Sequence, residues 1–175
     1  MSGCCKSCNE SILEMISETQ IRSLIKSTLE VLGSKYASED AVQLCYEVGL
    51  VESRYKYIRQ LGDGPAKSFW QVEPATAIDN CQHYLKHRKD MMAKCAEATH
   101  IDLMHWQTYD EKIWSDLLEK NIAAGIVHCR LKLWRVPKRM PNSLEGRAHY
   151  WKDYYNSSLG AGSVEKYIDV VKEYS

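Results

Sequence analysis

Glu52-Ser53-Arg54-Tyr55, a polar run through Gly62-Asp63-Gly64-Pro65, and Ala66-Lys67-Ser68-Phe69-Trp70-Gln71-Val72-Glu73-Pro74-Ala75-Thr76 form the stretch on which the reading of this chain turns. Upstream, Ser38 is placed to cap a helix, and Glu39 and Asp40 suit its positive end. That helix is predicted over residues 41–54, with Val42, Leu44, Cys45, Val48 and Val51 on its apolar face. Glu52 therefore falls in the last turn, beside Val48 and Val51. Partial desolvation and the negative end of the helix dipole both disfavour its charged form and raise its pKa. A carboxyl tuned that way suits a general acid near neutral pH. The Gly62–Pro65 tetrapeptide is a turn signal. Around it the chain is read as a small hairpin or an irregular loop lining a cleft, with Tyr55, Tyr57 and Trp70 as cleft aromatics. Pro74 opens the next helix at its first position, where a missing N–H costs nothing. Glu73, just before it, is a second carboxylate near the cleft. At a helix start it is more at home as a fixed anion than as a proton acceptor.

Composition sets the frame for this stretch. With 175 residues, one domain with a substantial core is expected. Lys plus Arg (23) balances Asp plus Glu (23), so no general attraction to nucleic acid or to an anionic membrane is implied. Hydrophobic residues make up 45%, which argues against disorder. Eleven Tyr and five Trp against one Phe favour surfaces that are half apolar and half wet, such as sugar clefts or protein interfaces. No apolar run reaches the roughly 18 residues of a membrane span. Residues 1–10 hold Cys4, Cys5 and Cys8 and no apolar leader core, so they read as a Cys-rich tail preceding one domain over 11–175. Cys5-x-x-Cys8 is half of a zinc site that no second pair completes. Cys45, Cys81, Cys95 and Cys129 read as buried free thiols. Neither metal nor cofactor is expected.

Outward from the central stretch the pattern is helical. Residues 11–18 and 19–32 carry apolar residues at helical spacing, with a capping-box form at Ser17-Glu18-Thr19-Gln20. Residues 80–94 are polar; His83 and His87 share a helix face, without a third ligand to make a metal site. Residues 99–110 read as a connection, and Thr108 or Asp110 as the cap of a helix carrying Ile113, Trp114, Leu117 and Leu118. Residues 121–134 hold the run Ile122-Ala123-Ala124-Gly125-Ile126-Val127, the expected central helix, whose small residues would admit close-packed neighbouring helices. Two more helices, over 144–155 and 163–174, flank a turn around Gly160 and Gly162.

Three short motifs occur in order: Glu52-Ser53, then Gln71-x-x-Pro74-x-Thr76, then Tyr155-Asn156 followed by Gly160-x-Gly162-x-Val164-x-x-Tyr167. This order resembles the core of soluble lytic transglycosylases and goose-type lysozymes, over residues 38–167. The chain departs from that pattern in Ser68, where glycine is usual, in the bulky Phe69-Trp70, and in the longer turn after Asn156. Gly64-Pro65-Ala66, Gln71-x-Glu73-Pro74-Ala75-Thr76 and Tyr150-Trp151-Lys152-x-x-Tyr155-Asn156 also look like small lysozyme-like proteins of tailed phages.

The resemblance implies a mainly α, lysozyme-like domain that cleaves peptidoglycan glycan strands, as a lytic transglycosylase or muramidase. Glu52 would be the single catalytic carboxyl. Gln71, Tyr155, Asn156, Tyr55 and Trp70 would bind substrate, with Glu73 as the candidate second carboxylate. In lytic transglycosylases the muramic acid 6-hydroxyl attacks and leaves a 1,6-anhydro end. The partners implied are peptidoglycan and other virion proteins. Synthesis would take place in the infected host's cytoplasm, followed by packaging in the virion and action on periplasmic peptidoglycan. A catalytically inactive lysozyme-fold component of a phage virion is the alternative.

Overall fold

The computed structural model describes residues 16–156 and 162–174. The Cys-rich tail and most of the first expected helical segment lie outside them. The described chain is mainly helical, of all-α class: α1 (Glu18–Leu32), α2 (Glu39–Ser53), α3 (Pro74–Asp79), α4 (Lys89–Thr99), α5 (Glu111–Lys120), α6 (Ile122–Trp134), α7 (Leu144–Trp151) and α8 (Val164–Glu173). Two helices run on into π-helical turns, α3 over Asn80–Leu85 and α7 over Lys152–Asn156. No helix among the described residues is long and apolar enough to cross a membrane.

The helix starts follow local chemistry. Ser38, Asp110, Asn121, Ser143 and Ser163 each accept a backbone N–H of the first turn through the side chain. Ser17 does not: α1 starts where the capping box stands, but the serine makes no cap hydrogen bond. Pro74 occupies the first turn of α3, as its missing N–H allows.

α6 is the axis of the fold. From Ala124 to Leu131 every residue is buried, and α1 to α5 all pack against it. At Gly125 the closest approach to it is made by the loop after α2. A Cβ on Gly125 would lie 2.5 Å from Ser68 Oγ and 3.0 Å from Trp70 Cε3. α2 is almost as enclosed, with each residue from Leu44 to Val51 buried. It carries one buried carboxylate. Glu47 takes both nitrogens of an Arg147 fork at 2.6 and 2.7 Å, the Tyr167 hydroxyl at 2.7 Å and the Gln43 amide at 2.7 Å. α2, α7 and α8 are thereby tied together, and every strong acceptor position of the carboxylate is filled. Cys45, Cys81, Cys95 and Cys129 are buried free thiols, as their positions within helical patterns imply.

The segment after α2 forms no strand. Two isolated antiparallel bridges, Arg59 with Lys67 and Lys67 with Val72, fold it into a compact irregular loop. Of the two forms left open by the sequence, the irregular one is found.

Candidate functional site

The turn out of α2 is built by Ser53. Its hydroxyl donates to the Gly49 carbonyl at 3.1 Å and accepts the Tyr55 N–H at 3.1 Å. Arg54 and Tyr55 both take positive φ, 52° and 53°, which reverses the chain within two residues. The Tyr55 ring then folds back over α2, and its hydroxyl donates to the Tyr46 carbonyl at 2.8 Å. Only glycine fits beneath it, because a Cβ on Gly49 would stand 2.5 Å from that hydroxyl. The Glu-Ser pair thus has a local physical meaning: the serine turns the chain, and the glutamate is left at the rim of the helix end.

Glu52 faces a cleft of about 870 Å³ enclosed by the end of α2, the loop after it, the start of α3, Lys132 of α6, the end of α7 and α8. The side chain is half-buried. Its Oε1 accepts the Trp151 indole N–H at 2.9 Å. Burial holds the carboxyl above its ordinary range, while the indole N–H and the Lys132 and Lys166 ammonium groups pull it partly back. Lys132 is the complementary group. It donates to the Tyr155 carbonyl at 2.8 Å, and its Nζ lies 4.5 Å from the centre of the Tyr155 ring. Burial lowers its pKa, and the nearby carboxylates of Glu52 and Glu73 oppose that shift.

The residues expected at the site divide into two groups. Gln71, Glu73, Tyr155 and Asn156 share the cleft lining with Glu52. Gln71 adopts a left-handed φ of 47° and donates from its amide to the Ser68 carbonyl at 2.9 Å, so its backbone is held by the loop it closes. Tyr155 is buried, with its hydroxyl donating to the Trp70 carbonyl at 2.7 Å; it anchors the loop to the end of α7. Asn156 accepts from Lys152 at 3.0 Å. Glu73 is exposed at the N-cap of α3 and makes no cap hydrogen bond, so the helix start does not tether it as its sequence position implied.

Tyr55 and Trp70 form the second group, and they are core residues. Tyr55 is 2% exposed and Trp70 fully buried, with the Trp70 indole donating to the Cys45 carbonyl at 2.8 Å. Neither lines the cleft. Tyr57 does, and its exposed ring stands there with exposed Leu61. Ser68, where the resembled families have glycine, sits at φ 63°, the left-handed region that glycine tolerates best.

Trp151, Lys132 and Lys166 were not among the expected site residues. A lysine inside the most apolar helix was a signal for Lys132, because such a group is retained only where it meets a partner or an opening. Trp151 lies within the Tyr-Trp-Lys-x-x-Tyr-Asn run, one helical turn before Tyr155.

The assembled site can hold a protonated carboxyl beside fixed cations, with an aromatic ring and amides along an open groove. Comparison with protein-family models, curated proteins and solved structures finds no significant match to this chain.

Proposed function

We propose that the chain is a lysozyme-like, phage-type protein that cleaves the glycan strand of peptidoglycan, with Glu52 as its single general acid and base. The observation that carries this reading is the half-buried, upward-shifted Glu52 carboxyl opening onto a groove it shares with Gln71, Tyr155 and Asn156. Glu52 would protonate the glycosidic oxygen as the bond to the muramic acid C1 breaks. It would then take the proton of the attacking hydroxyl, either the sugar's own 6-hydroxyl or water. Cationic side chains beside the carboxyl favour its anionic form after the proton has left, so both halves of the cycle are served. Tyr57 is the cleft's candidate for stacking on a sugar face.

The alternative, an inactive virion component with the same fold, would be favoured by a filled groove. Tyr55 and Trp70, the bulky residues able to fill it, are packed in the core.

Digestion of purified sacculi with wild-type protein and with Glu52→Gln tests the proposal. Soluble muropeptides are expected from wild type, and a loss on the order of 10²–10⁴-fold from the variant. A wild type inert on every sacculus preparation would promote the structural reading.

A further inference from the structure

The indole of Trp151 makes one hydrogen bond, and it is to Glu52 Oε1. Trp151 is 1% exposed, so it meets the carboxyl from inside the protein and presents almost nothing to a ligand. Glu52 Oε2 takes no hydrogen bond from any described residue and is not among the described side-chain atoms that are both buried and unpartnered, which leaves it open to the cleft. The benzo end of the indole lies against Gly162, where a Cβ would stand 2.3 Å from Trp151 Cη2 and 3.1 Å from Cζ2. The glycine that opens the path into α8 is therefore the floor on which Trp151 lies, and Trp151 the strut on which Glu52 leans.

We infer that Trp151, seated on Gly162, is a positioning residue that pins Glu52 Oε1 as the carbonyl oxygen and so assigns the transferable proton to Oε2. An indole N–H is a donor only. Its best acceptor on a neutral carboxyl is the unprotonated oxygen, so the proton resides on the oxygen facing the groove. When that proton leaves for the glycosidic oxygen, the same N–H stabilises the carboxylate that remains, and Oε2 is aimed to take the next proton back. No change of rotamer is needed between the two steps. The catalytic meaning rests on the proposed glycan cleavage, but the coupling of Trp151 to the ionisation of Glu52 does not.

The groups that act on the Glu52 carboxyl come from every side of the site. They are Lys132 of α6, Lys166 of α8, Tyr155 of the π-helical turn after α7, and Trp151 itself. Arg54 and Glu73 line the same cleft. Removing the indole N–H leaves the rest in place, and the loss of a bond that favours the anion moves the Glu52 pKa further upward.

The test uses the full chain with Trp151→Phe and, separately, Gly162→Ala, which displaces the indole without deleting it. The Glu52 carboxyl carbon is followed by pH titration in NMR, and muropeptide release is followed across pH. Circular dichroism identifies any variant that fails to fold. In Trp151→Phe the carboxyl midpoint should rise. The alkaline limb of the rate profile should move with it, and kcat should fall about tenfold, the equivalent of one ordinary hydrogen bond. KM should hold, since Trp151 stands in the cleft wall but is 1% exposed and offers the glycan almost no contact surface. Gly162→Ala should shift the midpoint in the same direction. An unchanged Glu52 midpoint in a folded variant of either kind would overturn the inference. A midpoint that moves in a protein whose wild type cleaves nothing would uphold the positioning of Glu52 and overturn the glycan-cleavage reading alone.

Discussion

At the scale of single residues, Glu52 is held in a form that costs the folded protein stability. Its pKa is raised on folding, so the folded state binds the proton more tightly than the unfolded chain does. The sign follows by linkage. Stability from this group is fully present below the unfolded carboxyl range and falls as pH rises through the folded pKa, so at neutral pH the residue is a net burden. Glutamine keeps the shape, and its amide oxygen still accepts from Trp151, but it cannot ionise. Glu52→Gln should therefore raise the neutral-pH melting temperature while activity is lost, and the gain should vanish toward pH 4. A melting temperature that falls at neutral pH would show that Trp151, Lys132 and Lys166 outweigh desolvation at this carboxyl. Stability gained on removing an active group is the usual sign of a site where function opposes folding.

Glu73 is the other residue whose role the chemistry of the product decides. An inverting hydrolase places its base roughly 6.5–9.5 Å from its acid, with water between them. Glu73 lines the same cleft as Glu52 but is exposed at the wall and tied to no backbone donor, so nothing fixes it on a water molecule. The expected product carries a 1,6-anhydro end, and Glu73→Gln should leave its yield within a few-fold of wild type, as judged by mass spectrometry of released muropeptides. Reducing muramic acid ends that disappear in Glu73→Gln would make Glu73 a second catalytic carboxylate.

At the scale of elements, the cleft exists because α2, α7 and α8 are clamped behind it. Glu47 and Arg147 form a buried, two-pronged pair reinforced by Tyr167 and Gln43, and the ion pair spans residues 100 apart in sequence. Deleting one partner strands the other charge in the core. Arg147→Met should cost about 3–5 kcal/mol in urea unfolding. Glu47→Leu combined with Arg147→Leu should cost clearly less than the sum of the single changes, because neither charge is then left alone. Additive losses would mean that the pair acts through packing and not through charge. The same elements mark how far the sequence could be read. Helix ends governed by neighbouring residues were legible: Ser38 capping α2, Asp110 capping α5, Pro74 opening α3, and α6 over nearly its full length. The directions of Tyr55 and Trp70 were not. Both flank a turn signal in sequence, but their rings are drawn inward by hydrogen bonds to Tyr46 and Cys45, carbonyls of α2 that no local pattern links to them. Glu47 was overlooked for the same reason, since Arg147 and Tyr167, which bind it from across the fold, lie on α7 and α8. Within the cleft, Glu52, Gln71 and Asn156 were legible as motif residues, whereas Trp151 and Lys132 reach Glu52 only once α6 and α7 have packed.

At the scale of the whole molecule, the response to acid should be governed by the centre of the core. His128 of α6 is fully buried, stacked on Trp106 with ring centroids 5.0 Å apart and edge-on to Trp114 at 4.6 Å. Its Nδ1 lies 3.3 Å from the Asn80 amide nitrogen, and the Asn80 oxygen accepts from Arg135, which orients that amide as a donor toward the ring. The imidazole is therefore neutral, with its proton on Nε2, and burial lowers its pKa to about 3 from 6.5. Between those two values the unfolded chain binds a proton that the folded protein refuses. The contribution of His128 is complete above pH 6.5 and drains at about 1.4 kcal/mol per pH unit as the solution is acidified toward pH 3. Glu52 works in the opposite sense, but only between the ordinary carboxyl range and its own raised pKa, so it flattens part of the descent without reversing the whole. Urea unfolding of Glu52→Gln at a series of pH values should expose the full histidine slope, because the opposing group is gone. His128→Gln in that background should remove most of the slope, whatever constant penalty the altered packing adds. The slope is the informative quantity, since a packing defect shifts stability equally at every pH. A descent that survives loss of the imidazole would move the acid sensitivity to carboxylates that a cation holds below their ordinary range, such as Glu119 beside Arg59 and Lys67.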